Sequence, residues 1–385
     1  MAAQTFVFQP LHNEQDTDSR VVNINPTRLY TLETGYGFVT ERNRVQGEFL
    51  QIPELNAGFF ESKEETATTV IEWDEHGCFA QNEGMIPLVF KIDVQRLGNY
   101  EVTMTLYAEG EIKIFAGCRN LVFHETTASK QDVTCCFNLS LHGLIPNGKN
   151  CMYENRSIDV AIIGDFVRLK KIQYKKVNCP TLYIVGDGWT SQHAGTYPYH
   201  ARASKSGWGQ MMPCFMKKGL AVSNQSQTGL NAESFRHGGH FALVQAHMKL
   251  GDYFLLHFAN REKAVDVEDY ASNIISYIEE VRAMGAYPIL STPISVGARD
   301  KQMPYVRACR EIAQTYHVPL IDLHDLWKAF LKNNRMVDYL VDDSYEFLNE
   351  NGARVISHLF IDAYKQQVQE LRPDAYTRLA KLMVG

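Results

Sequence analysis

The chain has 385 residues, 45% of them hydrophobic and 21% charged, with 38 Lys and Arg against 44 Asp and Glu for a net charge of −6. That length favours two domains over one, and the apolar share suffices for full cores. A mildly acidic chain lacks the basic footprint of a nucleic-acid binder, and no apolar run approaches the roughly 18 residues that span a bilayer, so neither partner is expected.

The opening residues MAAQTFVFQPLHNEQ show no basic segment followed by an apolar one, the pattern of a secretory signal. The cysteines at 78, 118, 135, 136, 151, 179, 214 and 309 form no C-x-x-C pair and no framework spacing. Both features predict reduced thiols and a cytoplasmic setting. Residues 1–178 read as all-β. The run NYEVTMTLYAEGEIKIFAG (Asn99 to Gly117) alternates with period two, and RSIDVAIIGDFVRLKKIQYKK (Arg156 to Lys176) predicts two strands parted at Gly164-Asp165. Such spacing predicts a jelly-roll β-sandwich.

Past Cys179-Pro180 the rhythm changes to alternating strand and helix. Strands are expected at 182–185, 220–223, 253–258, 288–291 and 320–323. Helices are expected at 209–218, 239–250, 267–284, 304–316 and 352–371. Residues 179–385 are therefore predicted to form an α/β domain with a doubly wound parallel sheet. Chemistry in such sheets sits beyond the carboxyl ends of the strands, which singles out Gly186-Asp187 and His257-Phe258-Ala259-Asn260.

Five blocks of this second half resemble the SGNH/GDSL hydrolases of the rhamnogalacturonan acetylesterase-like branch. GDGWTSQ (Gly186 to Gln192) stands where that branch has Gly-Asp-Ser-Thr, and YPYHARASKSGWGQMM (Tyr197 to Met212) resembles its Gly-Trp-Gly-Gln segment. VSNQSQTGLNAESF (Val222 to Phe235) matches the Asn…Gly-Arg-Ser…Ser-Phe block, KLGDYFLLHFANRE (Lys249 to Glu262) the Gln-Phe-Gly-His-Asn-Asp block, and DDSYEFLNENGA (Asp342 to Ala353) the closing Asp-x-x-His block. YTLETGYGF (Tyr30 to Phe38) resembles the galactose-binding-like β-domain that precedes some members. The resemblance implies a flavodoxin-like sheet, an oligosaccharide ligand and Gly229 as the oxyanion-hole glycine.

The family's reacting groups are missing. Its serine position is Gly188, and its asparagine falls on Arg261, or on Asn260 after a one-residue slip. An ungapped match puts Phe347 at the histidine and Ser344 at the aspartate, whereas one extra residue aligns Asp343 and Glu346 with them. A serine acyl-enzyme needs a nucleophile beside a base, and Gly188 closes that route. Ser191 and Thr190 are expected to begin the following helix and to face elsewhere.

Carboxylates remain: Asp187, Glu262, Asp343 and Glu346. Two facing carboxylates can hydrolyse a glycosidic bond, and Asp187 with Glu346 is the expected pair, Asp343 assisting. Trp189 offers a stacking face for a sugar ring, and Gly188, Gly229, Asn260, Arg261 and Glu262 are candidate binding residues. Each has a plainer reading. Asp187 can cap backbone N–H groups, Glu346 can be a solvated loop acid, Glu262 can pair with Arg261 or Lys263, and Trp189 can be core. His193, His200, His237 and His240 lack a third ligand at a diagnostic distance, and no glycine pattern fits a phosphate loop, so neither metal nor cofactor is expected. Three readings stay open: a carboxylate glycosidase, favoured because the pocket opens at 188 and gains an acid; a silent carbohydrate-binding protein; and a de-O-acetylase with a non-standard site.

Overall fold

The structure is a computed structural model that describes residues 3–9, 20–40, 69–81, 84–145, 152–258, 266–294, 301–341, 347–368 and 374–384. The chain forms two compact units. One comprises Met1–His142, Glu154–Asn178 and His193–Ser204, the other Gly143–Tyr153, Cys179–Gln192 and Lys205–Gly385.

The first unit contains β1 (Gln4–Val7), β2 (Val21–Asn23), β3 (Tyr36–Phe38), β4 (Ile71–Asp74), β5 (Gly77–Ala80), β6 (Leu88–Asp93), β7 (Gly98–Ala116) and β8 (Asn120–Leu141). After the two-residue strands β9 (Gly143–Leu144) and β10 (Tyr153–Glu154) comes its last long strand, β11 (Ser157–Val177). β7 pairs antiparallel with β8 on one side and with β11 on the other, and the far edge of β11 carries β6, β5 and β1 in turn. Along β7 the alternation is strict: Val102, Met104, Leu106 and Ala108 are buried, while Glu101, Thr103, Thr105 and Tyr107 are partly exposed.

The expected break at Gly164-Asp165 is a bulge inside one continuous β11, with the register shifting between Gly164 and Phe166. The Asp165 carboxylate accepts the Glu111 N–H at 2.8 Å across the ladder, so the irregular residue keeps the strands joined. Gly110 lies opposite with φ +80°, and a Cβ there would come within 2.4 Å of Asp165 Oδ2.

The second unit holds β12 (Thr181–Gly186), β13 (Ala221–Asn224), β14 (Tyr253–His257), β15 (Tyr287–Ser291) and β16 (Leu320–Ile321), all parallel. Their spatial order is β13-β12-β14-β15-β16, the 2-1-3-4-5 arrangement of a flavodoxin-like sheet. Tyr183, Val185, Phe254 and Leu256 pack against Tyr270, Ile274, Tyr277, Ile278 and Val281 of the helix Val267–Ala283. That helix starts where Asp266 accepts the Glu268 N–H at 2.9 Å, and its apolar residues recur every three to four positions.

Three expectations for this unit change. The strand expected at 320–323 stops at Ile321, because Asp322 caps a helix over Leu323–Leu331. The helix expected at 209–218 is one turn, Trp208–Met211, followed by a tighter turn over Met212–Phe215 with Pro213 in its first positions. Short helices at Ala232–His237 and Asp374–Lys381 were not foreseen. Among the described residues, no helix is long and apolar enough to cross a membrane.

Candidate functional site at the end of β12

β12 ends at Gly186, which lies beside His257 of β14 in the parallel register. The chain then turns tightly. The Asp187 carbonyl accepts the N–H groups of Thr190 and Ser191 at 3.1 and 3.0 Å and the Thr190 hydroxyl at 2.9 Å. The Asp187 carboxylate, 1% exposed, accepts the Trp189 N–H at 3.1 Å, the local capping geometry typical of an aspartate in a turn.

At Gly188 φ lies outside the left-handed region, so a side chain is conformationally allowed. A Cβ would point at Thr228, 3.4 Å from Oγ1 and 3.5 Å from Cγ2, which is ordinary contact. Ser191 is fully buried; its hydroxyl donates to the Gly188 carbonyl at 3.2 Å and shares a 3.1 Å hydrogen bond with Thr228 Oγ1.

The loop after β13 forms the facing wall. Asn224 ties the two loops together, its amide donating to the Thr190 carbonyl at 2.6 Å while its Oδ1 accepts the Ser226 N–H at 3.0 Å. The Gln227 N–H donates to the Gly186 carbonyl at 3.2 Å, which brings the following Thr228-Gly229 over the turn. Gly229 has φ +89°, is exposed, and has no atom within 4 Å of where a Cβ would stand. Beyond it, Asn231 caps the helix Ala232–His237 by accepting the Ser234 N–H at 2.7 Å.

The structure thus brings together Asp187, Gly188 and Gly229 and adds Thr228 and Asn224, which sequence reasoning passed over. Trp189 is 4% exposed and presents no open face for a sugar ring. Glu346, Asp343, Ser344, Asn260, Arg261 and Glu262 lie outside the described residues. Phe347 is described, with the Lys205 ammonium 4.3 Å from its ring centre.

A hydroxyl and an imidazole do meet one strand away: His257 Nδ1 lies 2.8 Å from Ser291 Oγ. Both are enclosed, His257 at 0% and Ser291 at 1% exposure, and the edge of Trp208 closes over the ring at 5.1 Å. Burial pushes the His257 pKa down to about 3, so the imidazole is neutral at physiological pH.

Of the histidines considered as ligands, His237 sits 3.8 Å from Glu233 and His240 stacks on Phe235 at 5.3 Å, its pKa lowered by burial. Among the described residues, Asp322, His324 and Asp325 are close enough together to hold a metal. Arg310 already bridges the two aspartates at 2.6 and 2.8 Å, and its charge opposes a cation there.

Compared with models of known protein families, the chain matches none. It is 24% identical over 383 residues, 95% of this chain and 92% of the other, to the Bacillus subtilis (strain 168) protein described as "Uncharacterized esterase YxiM". The crystal structure of that protein covers 95% of this chain at 20% identity, with a TM-score of 0.45. Axe2, an acetylxylan esterase from Geobacillus stearothermophilus, covers 48% of this chain, with 93% of its own length matched, at 14% identity and a TM-score of 0.39.

Proposed function

We propose that the chain is a carbohydrate-recognising protein on an SGNH-type esterase scaffold, which holds acylated or deacylated oligosaccharides at the mouth of β12 and does not cleave esters by a serine route. The observation that carries this reading is Gly188. The residue that the resemblance aligns with the family's nucleophile has no side chain to attack with, and the tight turn, the facing loop and the exposed Gly229 around it support a retained binding site. The neighbouring hydroxyls of Ser191 and Thr228 share a hydrogen bond. Likeness to a protein named as an esterase over nearly the whole chain supports an ester-type pocket. The β-strands of residues 1–178 are part of the same proposal, as a galactose-binding-like jelly roll.

The paired-carboxylate glycosidase fits less well. An acid–base residue must reach the glycosidic oxygen, whereas the Asp187 carboxylate is buried and engaged by the Trp189 N–H. Calorimetry against O-acetylated and saponified rhamnogalacturonan oligosaccharides should show binding, and assays on the same ligands should show neither acetate nor sugar release. Catalytic release of acetate, blocked by a fluorophosphonate, would overturn the reading in favour of a de-O-acetylase.

The contacts at 188 give a stability prediction. Gly188 is buried, but Gly188→Ser needs no unusual backbone and places its Cβ in ordinary contact with Thr228, so urea unfolding should show a loss of no more than about 1 kcal/mol. A loss of several kcal/mol would mean the turn has no room there.

A further inference from the structure

We infer that Gln227 is a positioning residue of the candidate site: its side-chain amide, braced on the Ile145 carbonyl, sets where the Thr228-Gly229 turn stands beyond the end of β12. The inference rests on the carbohydrate-recognition reading above and names what holds that site in shape.

Residues 227–230 form a four-residue turn, closed by the Leu230 N–H donating to the Gln227 carbonyl at 3.4 Å. Gly229 occupies its third position with φ +89°, a conformation that glycine adopts at little steric cost. Gln227 is the first residue of that turn, and it is anchored twice. Its backbone N–H donates to the Gly186 carbonyl at 3.2 Å. Its side-chain Nε2 donates to the carbonyl of Ile145, 82 residues earlier in the chain. A carbonyl can only accept, so that second contact requires a donor at the end of the residue-227 side chain.

Ile145 is itself supported. It follows β9, in the Gly143–Tyr153 stretch that belongs to the second unit. A Cβ on Gly143 would stand 3.5 Å from Leu243 Cδ2, and one on Gly239 would stand 3.9 Å from Ile145 Cδ1, so the stretch lies against the helix His240–His247. The turn is thus slung between β12, through Gly186, and that helix, through Ile145. Two tethers at one residue fix the tilt of the loop as well as its position. A loop held in place before a ligand arrives spares the ordering cost at binding. Gln227 is partly buried, which shields the side-chain bond from competing water.

The test compares Gln227→Met and Gln227→Lys in the full chain. Methionine keeps the length and the neutrality but has no donor, whereas lysine restores one. Calorimetry uses saponified and O-acetylated rhamnogalacturonan oligosaccharides at about 0.5 M salt, which screens any attraction of the added ammonium for the ligand. On each form that wild type binds, Gln227→Met should be about tenfold weaker, roughly the contribution of one hydrogen bond, and Gln227→Lys should stay within about twofold of wild type. Hydrogen exchange at the amides of Thr228 and Gly229 should quicken in Gln227→Met alone, with urea unfolding alike in all three proteins. Wild-type affinity in Gln227→Met, or equal weakening in both variants, overturns the positioning role while carbohydrate recognition stands. A loss of global stability that matches the loss of binding also overturns it, because Gln227 would then serve the fold and not the site. Failure of wild type to bind either form sinks that recognition and the positioning role with it.

Discussion

Trp208→Ala should destabilise the protein by about 3–5 kcal/mol, the range for deleting a large aromatic from a packed interior. Trp208 is 0% exposed, stacks on Phe360 at 5.5 Å and presents its edge to His257 at 5.1 Å. Its carbonyl accepts the Ser357 hydroxyl at 2.6 Å, so the one-turn helix Trp208–Met211 is pinned to the helix Glu350–Val368 through backbone as well as ring. The indole N–H has no partner among the described residues. Trp208→Phe preserves the stack and deletes that N–H, and should cost well under half as much. Urea or thermal unfolding of both variants checks the pair. Equal losses would show that ring stacking is not what holds this segment.

Acid should destabilise the second unit through His257. Its folded pKa is near 3, against about 6.5 for an unfolded histidine. Above pH 6.5 the ring is neutral in both states and contributes no pH dependence. As pH falls from 6.5 towards 3, the unfolded chain binds a proton that the folded chain refuses, and stability drops by up to roughly 1.4 kcal/mol per pH unit. The stability of this group is therefore present above the unfolded pKa and lost on acidification. His257→Gln should remove most of the slope between pH 6 and 4, whatever it does to stability at pH 8. An unchanged slope would show that other groups carry the acid sensitivity.

Legibility in the sequence followed regularity. The apolar runs that became β12, β14 and β15 were found to within a residue or so, because a strand covered on both faces reads as continuous hydrophobicity. The helices Val267–Ala283 and Met303–Tyr316 were equally plain from their periodicity. Ala232–His237 was missed because six residues supply too little period to detect, and its start depends on the Asn231–Ser234 cap.

The site was legible in position only. Gly186-Asp187 could be placed at a strand end from the chain itself and Gly229 from the resemblance alone, but the direction of loop side chains could not be read. The inward turn of Asp187, the burial of Trp189 and the arrival of Thr228 over Gly188 follow from bonds between distant residues, such as Asn224 to the Thr190 carbonyl. No periodicity encodes such contacts.

The segment His193–Ser204 belongs with the first unit although residues of the second precede and follow it. Within the first unit it is well secured: the Arg119 guanidinium donates to the His193 carbonyl at 3.1 Å, the Tyr199 N–H to the Met85 carbonyl at 2.8 Å, and the hydroxyls of Thr69 and Tyr197 share a 2.7 Å bond. Severing the chain once near residue 178 would thus strand a stretch of one fold inside the other. A recombinant fragment beginning at Cys179 would carry Tyr197 and Tyr199 without the Thr69 and Met85 they bond to, exposing surfaces that the intact polypeptide hides.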